Sequence, residues 1–203
     1  DLEIRGAGNV LGAEQHGHME AVGYDLYCKL LNQAVRALKQ DGKEEEEFET
    51  SVECDIDAYI PSSYIKNEYQ KLDIYKRISA VENEEESMDM QDELIDRFGE
   101  IPRVVENLLK VALIKGMAHY AYVTEVDINR QEARMLLHPR ARLKAEELPA
   151  LIASYNGELK MQTGETPALL YQQRKGKNKD CTAVMEKTEE ILKALGKLRR
   201  EED

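Results

Sequence analysis

The residues best equipped for chemistry stand at the start of the chain. Arg5 and Gln15 lie in residues 1–17, DLEIRGAGNVLGAEQHG. Arg5 is a permanently charged planar fork that suits a carboxylate or a phosphate. Gln15 offers both a donor and an acceptor. Between them, Gly6, Gly8 and Gly12 permit positive φ and close backbone approach, as a loop pressed against a phosphate or another domain requires. Taken alone, such a run reads as a helix-capping loop.

Other candidate constellations carry less. Glu14, His16, His18 and Glu20 alternate in sequence, so they share a side only in an extended chain. They lack the i, i+4 histidine pair of a helical zinc site, and no metal is expected. No nucleophile–base pair is visible, and no Gly-rich phosphate loop ending in Lys-Ser or Lys-Thr is present. The sequence therefore predicts no ATP hydrolysis, no catalytic residue and no cofactor for these 203 residues. Arg174, Lys175, Lys177 and Lys179 could touch a nucleic-acid backbone, but they read more simply as a charged hairpin turn.

Composition narrows the class. The formal net charge is −12, which disfavours direct duplex-DNA binding and suits a module that faces protein. Cys28, Cys54 and Cys181 are odd in number and widely spaced. That pattern fits reduced cytoplasmic thiols better than a disulfide framework. No apolar run approaches a membrane span. Because the chain opens at Asp1 inside a motif, it reads as a piece of a longer protein.

The elements that must position these residues can be read from periodicity. A helix is predicted over 19–40, with Leu26, Leu30, Ala34 and Ala37 at helical spacing and Gly42 as its stop. Residues 41–57 then carry nine acidic side chains against one lysine. Such a block repels itself and reads as a solvated linker. The predicted division is 1–42 for the loop and helix, 43–50 for the acidic linker and 51–203 for a further domain.

Within that domain, residues 51–60 alternate as a half-buried strand. A helix over 64–81 is predicted to be capped by Ser62 or Ser63. A second helix over 84–98 stops at Gly99, with Leu94, Ile95 and Phe98 on its inner side. A third, opened by Ile101 and Pro102 and running to about 117, is the most apolar. Two strands over 121–128 and 132–138 flank a short loop and read as a hairpin. A helix over 144–155, strands over 158–162 and 168–173, and a closing amphipathic helix over 182–200 complete an α+β chain. Its architecture is an N-terminal helical segment followed by several helices packed on a small, mainly antiparallel sheet.

Residues 1–17 resemble the translocation motif that follows the second helicase lobe in bacterial RecG and Mfd-type DNA translocases. Asp1 through Gly8, Leu11, Gly12, Glu14, Gln15 and Gly17 match that pattern; His16 departs from it, standing where a small residue is usual. Residues 58–64, Leu72, Tyr75, Lys76, Arg77, Ile78, 93–99 and Pro102 resemble the carboxy-terminal domain of bacterial transcription-repair coupling factors, which RecG lacks. The two resemblances are collinear and cover about residues 1–118.

The resemblance implies a parent that is an ATP-hydrolysing, superfamily 2 helicase-like DNA translocase, with ATP and Mg in its motor. It implies contacts with RNA polymerase, UvrA and duplex DNA in the cytoplasm. Residues 1–40, through Arg5, Gln15, Gly6, Gly8 and Gly12, would couple hydrolysis to movement. Residues 51–203 would be non-catalytic. They would pack on the protein's own amino-terminal UvrB-like domain and hide the surface that recruits UvrA. Glu93, Asp96 and Arg97 would form that contact. Their spacing places them on one helical face, where a Glu93–Arg97 pair is worth about 0.2–0.5 kcal/mol and solvated charge is the plainer account. The competing expectation is a nucleic-acid-binding accessory domain that uses the basic turn, against which the acidic balance speaks.

Overall fold

A computed structural model describes residues 48–201. The predicted loop and helix over 1–42 and most of the predicted acidic linker lie outside the described residues. The rest divides into two compact units, residues 57–112 and residues 48–56 with 113–201.

The first unit is helical. Its elements are α1 (Glu68–Ser79), α2 (Glu84–Phe98) and the beginning of α3 (Arg103–Tyr120). Ile74 and Ile78 of α1, Met90 and Leu94 of α2, and Val105, Leu108 and Leu109 of α3 are buried, together with Ile60, Ile65 and Val81. Helix α1 starts later than 64. The carbonyl of Pro61 accepts from the backbone N–H of Tyr64 at 2.9 Å and of Ile65 at 3.1 Å, closing one separate turn. The cap is then Asn67, whose side chain accepts from the Gln70 N–H at 3.0 Å, rather than Ser62 or Ser63. Asn side chains mimic a backbone acceptor well enough to open a helix.

Helix α2 has the predicted bounds. Asn83 accepts from the Glu86 N–H at 2.9 Å, and the Glu86 carboxylate accepts from the Glu82 N–H at 2.7 Å. This is close to a reciprocal capping box. Gly99 ends the helix at φ +88°, a conformation that disfavours any residue with a Cβ.

The second unit is built on five strands: β1 (Ser51–Cys54), β2 (Val123–Ile128), β3 (Glu132–Leu137), β4 (Leu159–Gln162) and β5 (Ala168–Gln172). Their order is β1-β2-β3-β5-β4. Strand β1 runs parallel to β2, and all other pairs are antiparallel. The sheet is therefore mixed and mainly antiparallel. Strand β1 is shorter than predicted because its partner runs out: Cys54 lies opposite Ile128, the last residue of β2. The Ile56 N–H then turns back to the Cys54 carbonyl at 2.9 Å.

The β2–β3 hairpin is held by Asn129, whose side chain accepts from the N–H groups of Gln131 and Glu132 at 2.8 and 2.9 Å. A short 3-10 turn (Ala145–Glu147) leads into α4 (Leu148–Ala153), and α5 (Thr182–Gly196) closes the unit. Helix α5 buries Val184, Met185, Thr188, Ile191, Leu192 and Leu195. That spacing is one apolar stripe. Thr188 satisfies its hydroxyl by donating to the Val184 carbonyl at 2.7 Å. Among the described residues no helix is long and apolar enough to cross a membrane.

Candidate interdomain interface

The predicted contact residues stand at the carboxy-terminal end of α2, and three tethers fix that end. The Arg77 guanidinium reaches from α1 and grips both carboxylate oxygens of Glu93, one bond being 2.7 Å. A bidentate fork fixes orientation as well as charge. Arg97, one turn on, approaches the same carboxylate at 3.4 Å and lies over the Phe98 ring at 4.9 Å. Tyr64 meets Phe98 edge-on at 5.8 Å, and its hydroxyl lies 3.1 Å from the Leu94 carbonyl and 2.9 Å from the Gly99 carbonyl. It thus ties the last turn and its Gly99 stop to the segment before α1.

Electrostatics follow the geometry. The Arg77 fork, and after it Arg97, holds the Glu93 carboxyl below its ordinary range. Its carboxylate in turn raises the already high pKa of Arg77. Burial raises the Tyr64 hydroxyl, so the group stays a neutral donor. Arg77 and Glu93 are both partly open to solvent, so the pair orients the helices more than it stabilises them.

Ile95 is a correction. It was expected on the inner side of α2, but it is 52% exposed, while Leu94 is buried and Phe98 half-buried. The apolar stripe of α2 runs through Met90 and Leu94, which turns Ile95 outward with Asp96 and Arg97. Glu93 is drawn toward α1, whereas Asp96 and Arg97 remain exposed. Sequence reasoning found the Glu93–Arg97 pair and missed Arg77 as the stronger partner. Arg77 was already in the family pattern, but pairing rules within one helix do not reach across to another.

A family model described as the TRCF domain matches residues 54–148. A transcription-repair-coupling factor of Bacillus subtilis is 44% identical over 141 residues, 70% of this chain and 12% of that protein. One from Staphylococcus haemolyticus is 45% identical over 152 residues, 73% of this chain and 13% of that protein. The chain belongs to the transcription-repair coupling factor family.

It spans about an eighth of the length of those curated relatives. The fold agrees with a solved "C-terminal domain of transcription-repair coupling factor", at a TM-score of 0.66 and 24% identity. That likeness covers 75% of this chain and 94% of the solved one. The TRCF match begins at Cys54, the last residue of β1, and includes all of α1, α2 and α3 and the β2–β3 hairpin. The α2 end carrying Glu93, Asp96 and Arg97 therefore lies inside it.

Arg5, Gln15, Gly6, Gly8 and Gly12, which the resemblance would give a coupling role, lie outside the described residues, as do Glu14, His16, His18 and Glu20. Among the described residues no group of three or more His, Cys, Asp or Glu side chains is placed to hold a metal ion. The basic turn is braced from within. The Asn178 side chain donates to the Arg130 carbonyl and to the Gln173 side chain, both at 2.7 Å. Lys175, Lys177 and Lys179 stay exposed.

Proposed function

We propose that this chain is the regulatory carboxy-terminal part of an ATP-driven DNA translocase that removes stalled RNA polymerase and recruits excision repair. Residues 51–203 carry no catalytic group. They act as a clasp on the protein's own amino-terminal UvrB-like domain and so withhold the UvrA-binding surface. Residues 1–40, through Arg5, Gln15, Gly6, Gly8 and Gly12, couple ATP hydrolysis in the motor to movement on duplex DNA in the cytoplasm.

The observation that supports the clasp is the end of α2. Asp96 and Arg97 are exposed and share a helical face with Glu93, on a helix end that Arg77 and Tyr64 hold in place, and Ile95 is exposed on another flank of the same turn. A mainly charged face with one exposed apolar neighbour suits a contact that must also open, since a wholly apolar interface would stay shut.

The test uses the full-length parent. Replacing Glu93, Asp96 and Arg97 together by Ala should raise UvrA capture in a pull-down without polymerase. Losing about 1.4 kcal/mol of contact would raise the open population about tenfold. Because Glu93 is committed to Arg77, the Asp96→Ala, Arg97→Ala double change should account for most of the effect. Unchanged UvrA capture by a protein that melts normally would return these residues to the solvated face.

A further inference from the structure

Two cysteines that are far apart in sequence meet in the sheet-containing unit. The Cys54 and Cys181 sulfurs are 2.8 Å apart across a separation of 127 positions, and both are free thiols. Regular structure sets each position. Cys54 ends β1 in register with Ile128. Cys181 opens α5, its carbonyl accepting from the Met185 N–H at 2.8 Å, while the Asp180 side chain caps Thr182 at 2.9 Å. The Cys181 sulfur also lies 3.5 Å from the Asp55 carbonyl. A disulfide needs sulfurs at about 2.05 Å, so a small side-chain movement would complete one.

We propose that Cys54 and Cys181 form an oxidisable dithiol, a redox-modification site that a small-molecule disulfide such as oxidised glutathione converts to an intramolecular bridge. The first step falls to Cys54, which is partly exposed, whereas Cys181 is buried. The Cys54 thiol loses its proton, its sulfur attacks the glutathione disulfide, and one glutathione thiol leaves. The Cys181 sulfur then loses its proton and attacks the Cys54 sulfur of the mixed disulfide, releasing the second glutathione. Two protein thiols are oxidised by two electrons in all, and one small disulfide is reduced to two thiols.

The surroundings set the rate. Burial, then Cys181, then the carboxylates of Asp55 and Asp180 push the Cys54 thiol far above its ordinary value. Its thiolate is scarce at neutral pH, so oxidation is slow there and quickens nearly tenfold per pH unit on the alkaline side. The site's location gives it a consequence. The chain leaves the sheet-containing unit between Ile56 and Asp57, just after Cys54. A bridge would anchor that exit to the start of α5.

The experiment uses the whole chain. Reduced protein is incubated with oxidised glutathione from pH 7 to pH 9, quenched with a maleimide, weighed, and digested without reductant for peptide mapping. The expected result is a fall from three maleimides to one, a cross-linked peptide joining Cys54 to Cys181, and label on Cys28. Cys54→Ser and Cys181→Ser should each abolish the bridge, and Cys28→Ser should not. A bridge closing so long a loop should raise Tm on the order of 10 °C. Three thiols still free, a stable glutathione adduct on Cys54, a bridge through Cys28, or a bridged chain melting no higher than the reduced one would each overturn the proposal.

Discussion

The two units use charge in opposite ways. In the helical unit, opposite charges meet: Arg77 grips Glu93, and Arg97 supports the same carboxylate. In the sheet-containing unit, Lys187 pairs with Glu190 and Arg200 with Glu146 at the surface, but on the sheet itself like charges meet. Glu53 of β1 stands in register with Asp127 of β2, and Glu125 lies two residues along the same strand. Burial, then Asp127, then Glu53 raise the Glu125 carboxyl above its ordinary value, with Arg134 alone opposing. One Asp127 carboxylate oxygen is buried without a hydrogen-bond partner. The difference teaches that surface charge orients one unit and loads the other, while apolar burial holds both together.

Breaking that common support should give the largest effect. Leu94→Ala in α2 and Leu192→Ala in α5 each remove a fully buried side chain, and each should cost about 2–5 kcal/mol in chemical denaturation. A much smaller loss in the helical unit would mean that its charges bear more of the stability than their exposure allows.

Arg77→Ala comes next, with an expected loss of up to about 1 kcal/mol at neutral pH because the pair is partly solvated. Its pH dependence has a definite sign. The Glu93 pKa is depressed in the folded state, so its contribution is present above the unfolded carboxylate value and fades as pH falls through the lower folded one. Melting curves from neutral to acid pH should therefore show wild type and variant converging at the acid end. A constant gap would assign the loss to packing of the arginine stem.

Glu125→Gln should act in the other direction. The Glu125 pKa is raised, so its folded state binds the proton more tightly than the unfolded one. The repulsion is present above the folded value and is relieved as pH falls toward the unfolded value. The substitution should raise stability at neutral pH on the order of 0.2–1 kcal/mol, the scale of like charges on adjacent strands. The gain should vanish in acid. A destabilised variant at neutral pH would show that the carboxylate has a partner worth more than the repulsion.

What was legible in the sequence follows the same divide between local and long-range forces. Helix α2, its Gly99 stop, the Asn129 hairpin and the closing stripe of α5 depend on neighbours within a few residues, and each can be read from spacing. The start of α1 could not be read: Ser62 and Ser63 are good caps locally, but the Pro61 carbonyl had already captured the N–H groups of Tyr64 and Ile65. The end of β1 was set by where β2 stops. At the interface, Glu93–Arg97 was legible as an i, i+4 pair, whereas Arg77 was not, because it comes from another helix. Cys54 and Cys181 looked like separate thiols, since nothing in their spacing announces that β1 and α5 bring them together.

Ile95 gives the smallest expected effect on stability and the sharpest distinction between packing and contact. It sits beside Leu94, yet it is 52% exposed while Leu94 is buried. A side chain left largely in water gains little on folding, and substitutions at such surface positions usually stay within about 0.5 kcal/mol of wild type. Ile95→Ser should therefore leave the denaturation midpoint of this chain almost unchanged. In the full-length parent the same change should weaken the closed clasp and raise UvrA capture, because it removes the exposed apolar side chain of the helix end. A midpoint that drops as far as that of Leu94→Ala would place Ile95 in the core and leave the clasp resting on its charges alone. A stable variant with unchanged UvrA capture would remove the α2 end from the interface altogether.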